Sequence, residues 1–250
     1  MRAEIVFLDT VDSSNNYAMR AVDDGRAEHG FTVVARRQSD GRGQRGRAWF
    51  SGDRAESLLM STVLRPAVGI EAQWAFSVAV SVAVRHAIAD AYPGLDLRIK
   101  WPNDLIAGDK KAGGILIENS IRGGEWVWAV VGIGVNVCQE TLPPDLVNAT
   151  SLRMVTGIEV RVEELARRVA DALVAVPDGD AFEEYNRWLY RYHAVQEFWQ
   201  DGEVFNARIL GVSPAGELML EDGLGQCRSY RHGELEWVWP ESLLQSSSAT

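Results

Sequence analysis

Cysteine and histidine are scarce in this chain of 250 residues. Its two cysteines, Cys138 and Cys227, are far apart and neither belongs to a CxxC pair, and its four histidines show no spacing typical of metal ligands. A disulfide framework and a structural metal site are therefore not expected. The same cysteine usage fits a reducing compartment, and we predict a cytoplasmic location.

Long apolar runs are also lacking. No stretch free of charge reaches the roughly 18 residues that a membrane-spanning helix requires. The first residues carry Arg2 and Glu4, unlike a signal peptide. We therefore expect no membrane partner. The formal net charge of −10 disfavours general nucleic-acid binding, so we also expect no DNA partner.

Lysine is rare, and its placement is unusual. Only three of the 25 basic residues are lysines, and all three, Lys100, Lys110 and Lys111, fall within twelve residues. A second unusual segment runs from Arg36 to Arg47 and contains five arginines and one aspartate, a local charge of +4 in an acidic protein. Guanidinium groups can bind carboxylates or phosphates in bidentate fashion, so this segment is a candidate anion site.

Hydrophobic periodicity predicts an α+β fold. The predicted strands are Ile5–Leu8, Phe31–Arg37, Ser57–Leu64, Leu97–Lys100, Leu105–Ala107, Gly114–Asn119 and Trp126–Val131, and the predicted helices are Asn15–Val22, Gln73–Tyr92, Val162–Val176 and Phe182–Tyr190. The glycine-rich segment Ser39–Glu56 is predicted to be a long loop. Beyond about Val195 the pattern changes to short strands separated by turns with glycine, which indicates a small β-barrel: Val204–Leu210, Leu218–Leu220, Cys227–Arg231 and Leu235–Trp239.

The arginine-rich segment reads QSDGRGQRGRAW from Gln38 to Trp49. Its glycines formally match the GxGxxG dinucleotide fingerprint, but the residues after Gly46 do not begin a helix, and no GK[ST] follows. The segment is better interpreted as a flexible loop whose arginines close over an anion. A solvated basic loop is the alternative.

Three further segments suggest a ligand site. In KWPND, Lys100–Asp104, a proline holds Asn103 and Asp104 at a strand junction, where an aspartate beside phosphates can bind Mg²⁺. In KAGGILIE, Lys111–Glu118, two glycines let a ligand approach the backbone beside a lysine. GIGVNV, Gly132–Val137, can form the floor of a pocket. The respective alternatives are a plain turn, a solvated hairpin lysine and a β-bulge.

Taken in order, these motifs resemble those of biotin protein ligases. The resemblance also includes DSSN from Asp12 and NATSL from Asn148, and it extends from about Asp9 to Glu241. It implies the α+β fold of that family, which is related to class II synthetases. The implied organisation is a catalytic domain at 1–194, with a mixed β-sheet packed with helices that binds biotin and ATP. A small C-terminal SH3-like β-barrel follows at 195–245, and a disordered tail at 246–250.

The function that the resemblance implies is ATP-dependent biotinylation. Such ligases form biotinyl-5′-AMP from biotin and ATP with Mg²⁺, and then transfer biotin to a specific lysine of a biotin carboxyl carrier domain. A lipoate-protein ligase of the same fold is one alternative, although its usual arginine and glycine-run signature is not found here. A non-catalytic biotin-binding module is the other.

The resemblance also assigns candidate residues. Lys111, Arg42 and Asp104 are candidate catalytic residues, and Asp104 is also a candidate Mg²⁺ ligand. Ser13, Ser14 and Asn15 match positions that line the pocket for the biotin ureido group. The full set expected to contact biotin or nucleotide is Ser13, Ser14, Asn15, Gln38, Gly41, Arg42, Gly43, Gln44, Arg45, Trp49, Lys100, Asn103, Lys111, Gly113, Gly114, Gly132, Gly134, Asn136 and Asn148.

Some positions depart from the family pattern or leave alternatives open. Gln44 stands where some members carry an arginine that helps to retain the intermediate, and Asp40 stands where a small residue is common. The DSSN motif begins close to Met1, so we expect no winged helix-turn-helix and no operator binding. Trp126 and Trp128 either face outward on an edge strand, available to a second copy in a homodimer or to the acceptor, or belong to the core.

Overall fold

A mixed sheet of seven strands carries most of the structure. The structure is a computed structural model that describes residues 3–46, 49–50, 52, 55–176 and 181–239. The strands are β1 (Glu4–Val11), β2 (Phe31–Gln38), β3 (Ser57–Leu64), β4 (Leu97–Lys100), β5 (Asp104–Ala107), β6 (Lys110–Arg122) and β7 (Glu125–Asn136). Their order is β1-β2-β3-β7-β6-β5-β4. β1 and β2 pair in parallel, and the other neighbours are antiparallel.

Helices cover both faces of this sheet. They are α1 (Ser14–Asp23), α2 (Gln73–Ala89), α3 (Leu152–Thr156), α4 (Val162–Val174) and α5 (Phe182–Arg187). α1 packs on one face over a small core that includes Ala18, Val33 and Val63. α2 and α4 pack on the opposite face over the large core. Because both faces are covered, every residue of β3 is buried, including the polar residues Ser57, Ser61 and Thr62.

The predicted elements are present with altered ends. β6 and β7 form one long hairpin. β6 begins before the predicted strand and includes Gly113, and β7 continues beyond the predicted strand through Gly132 and Gly134. The predicted helix from Phe182 ends at Arg187, and the short α3 has no counterpart in the prediction. Helix propensity does not predict where α5 ends or that α3 forms, because backbone pairing and burial against distant segments decide both.

The C-terminal part is a small antiparallel sheet. Its strands are β8 (Val195–Gln200), β9 (Glu203–Val212), β10 (Leu218–Asp222), β11 (Cys227–Tyr230) and β12 (Glu236–Trp237), in the order β11-β10-β9-β8-β12. The predicted β unit is therefore confirmed, but the closed barrel is wrong. Within the described residues the sheet has two open edges, because β11 pairs only with β10 and the two-residue strand β12 pairs only with β8. β8 was not predicted, because polar residues interrupt its sequence VQEFWQ.

The small sheet packs directly on the rest of the chain. The amide of Asn186 donates to the Val212 carbonyl at 3.2 Å and accepts from the Val212 N–H at 2.7 Å. The indole of Trp101 donates to the Gly216 carbonyl at 3.1 Å. One continuous apolar core extends from the large sheet into the small one. The division at residue 194 stays a prediction, and residues 246–250 lie outside the described part of the chain.

Burial decides between the two interpretations of Trp126 and Trp128. Both lie on the part of β7 that pairs with β6 alone, because the pairing of β7 with β3 ends at Ala129. Trp126 is 7% exposed and Trp128 is 9% exposed, so they belong to the core, which was the alternative. Among the described helices, none combines the length and the apolar character that a bilayer crossing needs.

Candidate functional site

A cavity of about 380 Å³ lies on the face of the large sheet that carries α1. Its volume is within the range of roughly 300–1,000 Å³ typical of small-molecule sites. Most of the residues expected to contact a ligand line it, although they come from widely separated segments. They are Ser13, Ser14, Asn15, Gln38, Arg42, Gly43, Gln44, Trp49, Lys100, Asn103, Asp104, Lys111, Gly114, Gly132 and Gly134.

The floor of the cavity is bare backbone. Gly132 and Gly134 are two residues apart on β7 and therefore lie on the same face of the sheet, and Gly114 of β6 pairs with Gly134. A Cβ on Gly132 would lie 2.1 Å from Oδ1 of Asn15, and a Cβ on Gly134 would lie 2.6 Å from the Trp49 ring. Asn15 and Trp49 can therefore rest directly on the strand only because these positions have no side chain.

One end of the cavity is polar and uncharged. Ser13, Ser14 and Asn15 begin α1 and are each at most 5% exposed. The Ser61 hydroxyl donates to Oδ1 of Asn15 at 2.5 Å, and it lies within hydrogen-bond distance, 2.8 Å, of the Ser14 hydroxyl. The Ser14 N–H donates to Oε1 of Gln38 at 2.7 Å. These bonds fix several donors and acceptors at the start of the helix, an arrangement that suits a neutral polar ligand group.

The opposite end is cationic. Nζ of Lys111 lies 2.6 Å from Oδ1 of Asp104, and Nζ of Lys100 lies 3.6 Å from Oδ2 of the same carboxylate. Lys111 also lies 5.7 Å from the centre of the Trp49 ring. Two ammonium groups thus share one carboxylate. Gly114 lies beside it, since a Cβ at this position would be 3.5 Å from Oδ1 of Asp104. An anionic ligand group would find two preorganised cations here.

Arg42 lies near the uncharged end of the cavity. Its Nη2 donates to Oδ1 of Asn16 and lies 3.2 Å from Oε1 of Glu118. The guanidinium is 40% exposed, so its reorientation toward a ligand requires little desolvation. Arg42 and Lys111 both line the cavity, but each is paired with a carboxylate of its own chain.

Four expected residues lie behind the lining. Gly41 packs where a Cβ would be 2.8 Å from the Trp49 carbonyl, and Gly113 packs equally closely on the Gly134 carbonyl. Asn148 accepts at its backbone carbonyl from the Lys111 N–H at 2.8 Å. The Asn136 amide donates to the Thr150 carbonyl at 3.0 Å. These residues hold Trp49, β6 and the segment beside Lys111 in place. The side chain of Arg45 lies outside the described part of the chain.

A buried tyrosine holds the backbone of the KWPND segment. The Tyr185 hydroxyl donates to the Pro102 carbonyl at 2.9 Å, and its side chain is fully buried. Desolvation raises the pKa of this phenol far above its ordinary value, with a smaller contribution from the charge of Asp104. Tyr185 therefore remains a neutral donor that fixes the backbone beside Asn103, whose own amide donates to the Ile115 carbonyl.

One wall of the cavity consists of residues that the sequence did not predict. This wall comes from the C-terminal part and consists of His232, Gly233, Leu235, Glu236, Trp237 and Trp239. Nζ of Lys100 lies 5.1 Å from the Trp237 ring and 5.6 Å from the Trp239 ring. The only sequence signal was the aromatic cluster WVW, and nothing in it indicates contact with a lysine more than 130 residues away.

The residues described here hold no cluster of three or more His, Cys, Asp or Glu side chains that could bind a metal ion. Asp104, the expected Mg²⁺ ligand, has one oxygen on Lys111 and the other near Lys100. These side chains do not fit a resident metal ion. Mg²⁺ therefore enters the argument only as part of a Mg·ATP substrate, and its contact with Asp104 stays a prediction.

The sequence is similar to those of known ligases. The model of the biotin/lipoate A/B protein ligase family matches residues 7–136. The biotin–[acetyl-CoA-carboxylase] ligase of Paracoccus denitrificans is 37% identical over 208 residues, which cover 78% of this chain and 85% of that protein. The bifunctional ligase/repressor BirA of Salmonella typhimurium is 29% identical over 241 residues, 92% of this chain and 73% of that protein.

A solved structure shares the fold. The biotin protein ligase from Aquifex aeolicus in complex with biotin and ATP superposes with a TM-score of 0.74 at 23% identity, covering 94% of this chain and 99% of that one. The family match spans the strands and loops that line the cavity from Ser13 to Gly134. The chain therefore belongs to the biotin/lipoate A/B protein ligase family.

Proposed function

We propose that this protein is a biotin–protein ligase. It would form biotinyl-5′-AMP from biotin and ATP, and then transfer biotin to a specific lysine of a biotin carboxyl carrier domain. The relative from Paracoccus denitrificans carries the name of this activity, and the neighbour from Aquifex aeolicus binds biotin and ATP. Its site of action would be the cytoplasm, where biotin, ATP and reduced thiols coexist.

The observation that carries the proposal is the division of one cavity into an uncharged end and a cationic end. Biotin has the same division, because a neutral ureido ring is joined through an aliphatic chain to a carboxylate. Ser14 and Asn15 would receive the ring, and Lys111 would lie near the carboxylate. Between the two ends, Gly132 and Gly134 let the side chains of Asn15 and Trp49 lie against β7 within the same cavity.

The first step brings two anions together. A carboxylate oxygen of biotin attacks the α-phosphorus of ATP, and the bond to pyrophosphate breaks. Lys111 and Lys100 offset the repulsion and stabilise the negative charge that develops at phosphorus. Preorganised donors of this kind are each worth roughly 3–4 kcal/mol in the transition state. Arg42 would have to leave Glu118 and turn toward the anhydride phosphate at the cationic end, where it would restrict the entry of water.

In the second step an acceptor lysine attacks the acyl carbon. AMP leaves, and the amine loses its proton as the amide forms. Asp104, a candidate catalytic residue, would not act as the base for this proton, because its Oδ1 lies 2.6 Å from Nζ of Lys111. It holds the Lys111 ammonium beside Gly114, while the proton of the acceptor amine passes to solvent or to the departing phosphate.

Biotin-dependent exchange of pyrophosphate with ATP tests the first step. We expect Lys111→Ala to lower the exchange rate by about 100-fold or more, because it removes a charge from the transition state. The fold should survive, since the Lys111 side chain is 36% exposed. Lys110→Ala is the matched control, because this neighbour is absent from the cavity lining and should leave exchange unchanged.

The second step is tested with Mg·ATP, biotin and a carboxyl carrier domain. A mass increase of one biotinyl group on a single carrier lysine is the expected result. Transfer of lipoate in preference to biotin would assign the chain to the lipoate branch of its family. Tight binding of biotin without any exchange or transfer would instead indicate a non-catalytic binding module.

A further inference from the structure

Glu118 joins two segments of the site, although it does not itself line the cavity. It lies on β6 in the alternating series with Gly114 and Leu116, which do line it. Its Oε2 accepts from Nδ2 of Asn15 at 2.7 Å. Both of its oxygens also accept from Nη2 of Arg42, at 3.2 Å and 3.3 Å. One carboxylate thus contacts the start of α1 and the arginine-rich loop.

The contact with Asn15 fixes the orientation of the amide. Nδ2 of Asn15 donates to the Glu118 carboxylate, which can only accept, so the two amide atoms cannot exchange places without losing this bond, whereas the Ser61 hydroxyl can pair with either atom. Nδ2 makes one further contact, a long one of 3.4 Å to the Leu116 carbonyl. This second N–H is therefore the donor that a ligand carbonyl beside Asn15 can take over.

The contact with Arg42 supplies a counter-charge. A guanidinium that is paired with an internal carboxylate must give up that partner before it can bind a ligand anion. Breaking the pair lowers the net free energy that Arg42 gains from binding the ligand. The pair itself keeps Arg42 at the cavity rather than extended into solvent. Glu118 thus acts on both ligand-facing groups without touching the ligand.

We propose that Glu118 is a positioning residue that orients the Asn15 amide for a neutral ligand carbonyl and competes with the ligand phosphate for Arg42. This inference rests on the proposed function for the identity of the two ligand groups. It predicts that the two tasks separate, because one requires only a hydrogen-bond acceptor and the other requires a negative charge.

Two substitutions separate the tasks. Glu118→Gln keeps an oxygen that can accept from Asn15 but removes the charge beside Arg42. Glu118→Ala removes both. Glu125→Ala is the matched control, because Glu125 is an exposed carboxylate at the start of β7 on the same hairpin. Thermal unfolding of each variant verifies that the fold is kept.

The experiment measures two dissociation constants by calorimetry, for biotin alone and for a non-hydrolysable biotinyl-adenylate analogue. We expect Glu118→Ala to weaken biotin binding about tenfold. Glu118→Gln should bind biotin within about twofold of the wild type and bind the analogue about fivefold more tightly, because Arg42 has lost its internal anion. Glu125→Ala should change neither constant.

Three results would overturn the inference while leaving the proposed function intact. In the first, Glu118→Ala binds biotin as the wild type does. In the second, Glu118→Gln loses biotin affinity as fully as Glu118→Ala. In the third, Glu118→Gln binds the analogue no more tightly than the wild type. A wild-type protein that binds neither ligand would refute the proposed function, and this inference with it.

Discussion

Replacing Gly132 by alanine tests the geometry of the cavity floor. The added Cβ would lie 2.1 Å from Oδ1, 2.8 Å from Cγ and 2.9 Å from Nδ2 of Asn15. Ordinary contacts of a carbon atom begin at roughly 3.5 Å, so the amide must move by more than about 1 Å. β7 itself cannot yield, because it is paired on both sides with β3 and β6.

The cost follows from the bonds that the Asn15 amide must give up. The displaced amide loses its hydrogen bonds with Ser61 and Glu118, each worth about 1 kcal/mol net. The expected loss is therefore about 2 kcal/mol of unfolding free energy, or about 4–8 °C in Tm for a chain of this size. Biotin should bind roughly 5- to 150-fold more weakly, since a buried donor to the ligand is misplaced.

Calorimetric unfolding and biotin titration of four variants measure these effects: Gly132→Ala, Gly223→Ala, Asn15→Ala and the double variant Gly132→Ala with Asn15→Ala. Gly223→Ala is the matched control, because a Cβ there meets nothing within 4 Å, and it should match the wild type. The double variant Gly132→Ala with Asn15→Ala should be no less stable than Asn15→Ala alone, since the clash has only one partner side chain. Additive losses of stability in the double variant, or a Gly132→Ala protein that binds biotin normally, would refute the reasoning.

Two further predictions concern stability. Tyr185→Phe removes the donor to a buried backbone carbonyl, so we expect a loss of about 1–3 kcal/mol in unfolding free energy, measured by denaturant titration; an unchanged midpoint would contradict this role. The pKa of Asp12 is held well below its usual value, chiefly by its hydrogen bond from Arg20, so its contribution is present above about pH 4 and is lost as the pH falls through the lowered pKa. Asp12→Asn should therefore lower Tm slightly at pH 7, by the equivalent of less than about 1 kcal/mol for this half-exposed pair, and the difference from the wild type should shrink in acid. A Tm difference between Asp12→Asn and the wild type that grows in acid would contradict this role of the Asp12 carboxylate.

Sequence predicted the parts of the site that depend on local chemistry. The helix from Ser14 and the strands around KWPND follow from periodicity and turn residues. The family resemblance brought Lys111, Asp104 and Asn15 into one candidate site, and the structure places all three at one cavity.

Sequence could not predict the contacts that depend on register between distant strands. The position of Glu118 beside Asn15 and Arg42 follows from the pairing of β6 with β7, and a shift of one residue would turn its carboxylate to the other face of the sheet. The approach of Trp237 to Lys100 depends on how the small sheet packs on the large one. No local pattern encodes either distance.

The C-terminal wall also has a consequence for how the pocket is completed. Residues 232–239 complete a pocket whose other end forms around Ser13, so the two ends of the pocket are separated by almost the whole length of the chain. The end around Ser13 is built from the large sheet and α1, whereas the surroundings of Lys100 are complete only when the small sheet has packed on the large one. Loosening the contact between the two sheets would therefore open the pocket beside Lys100 while the end around Ser13 stays in place.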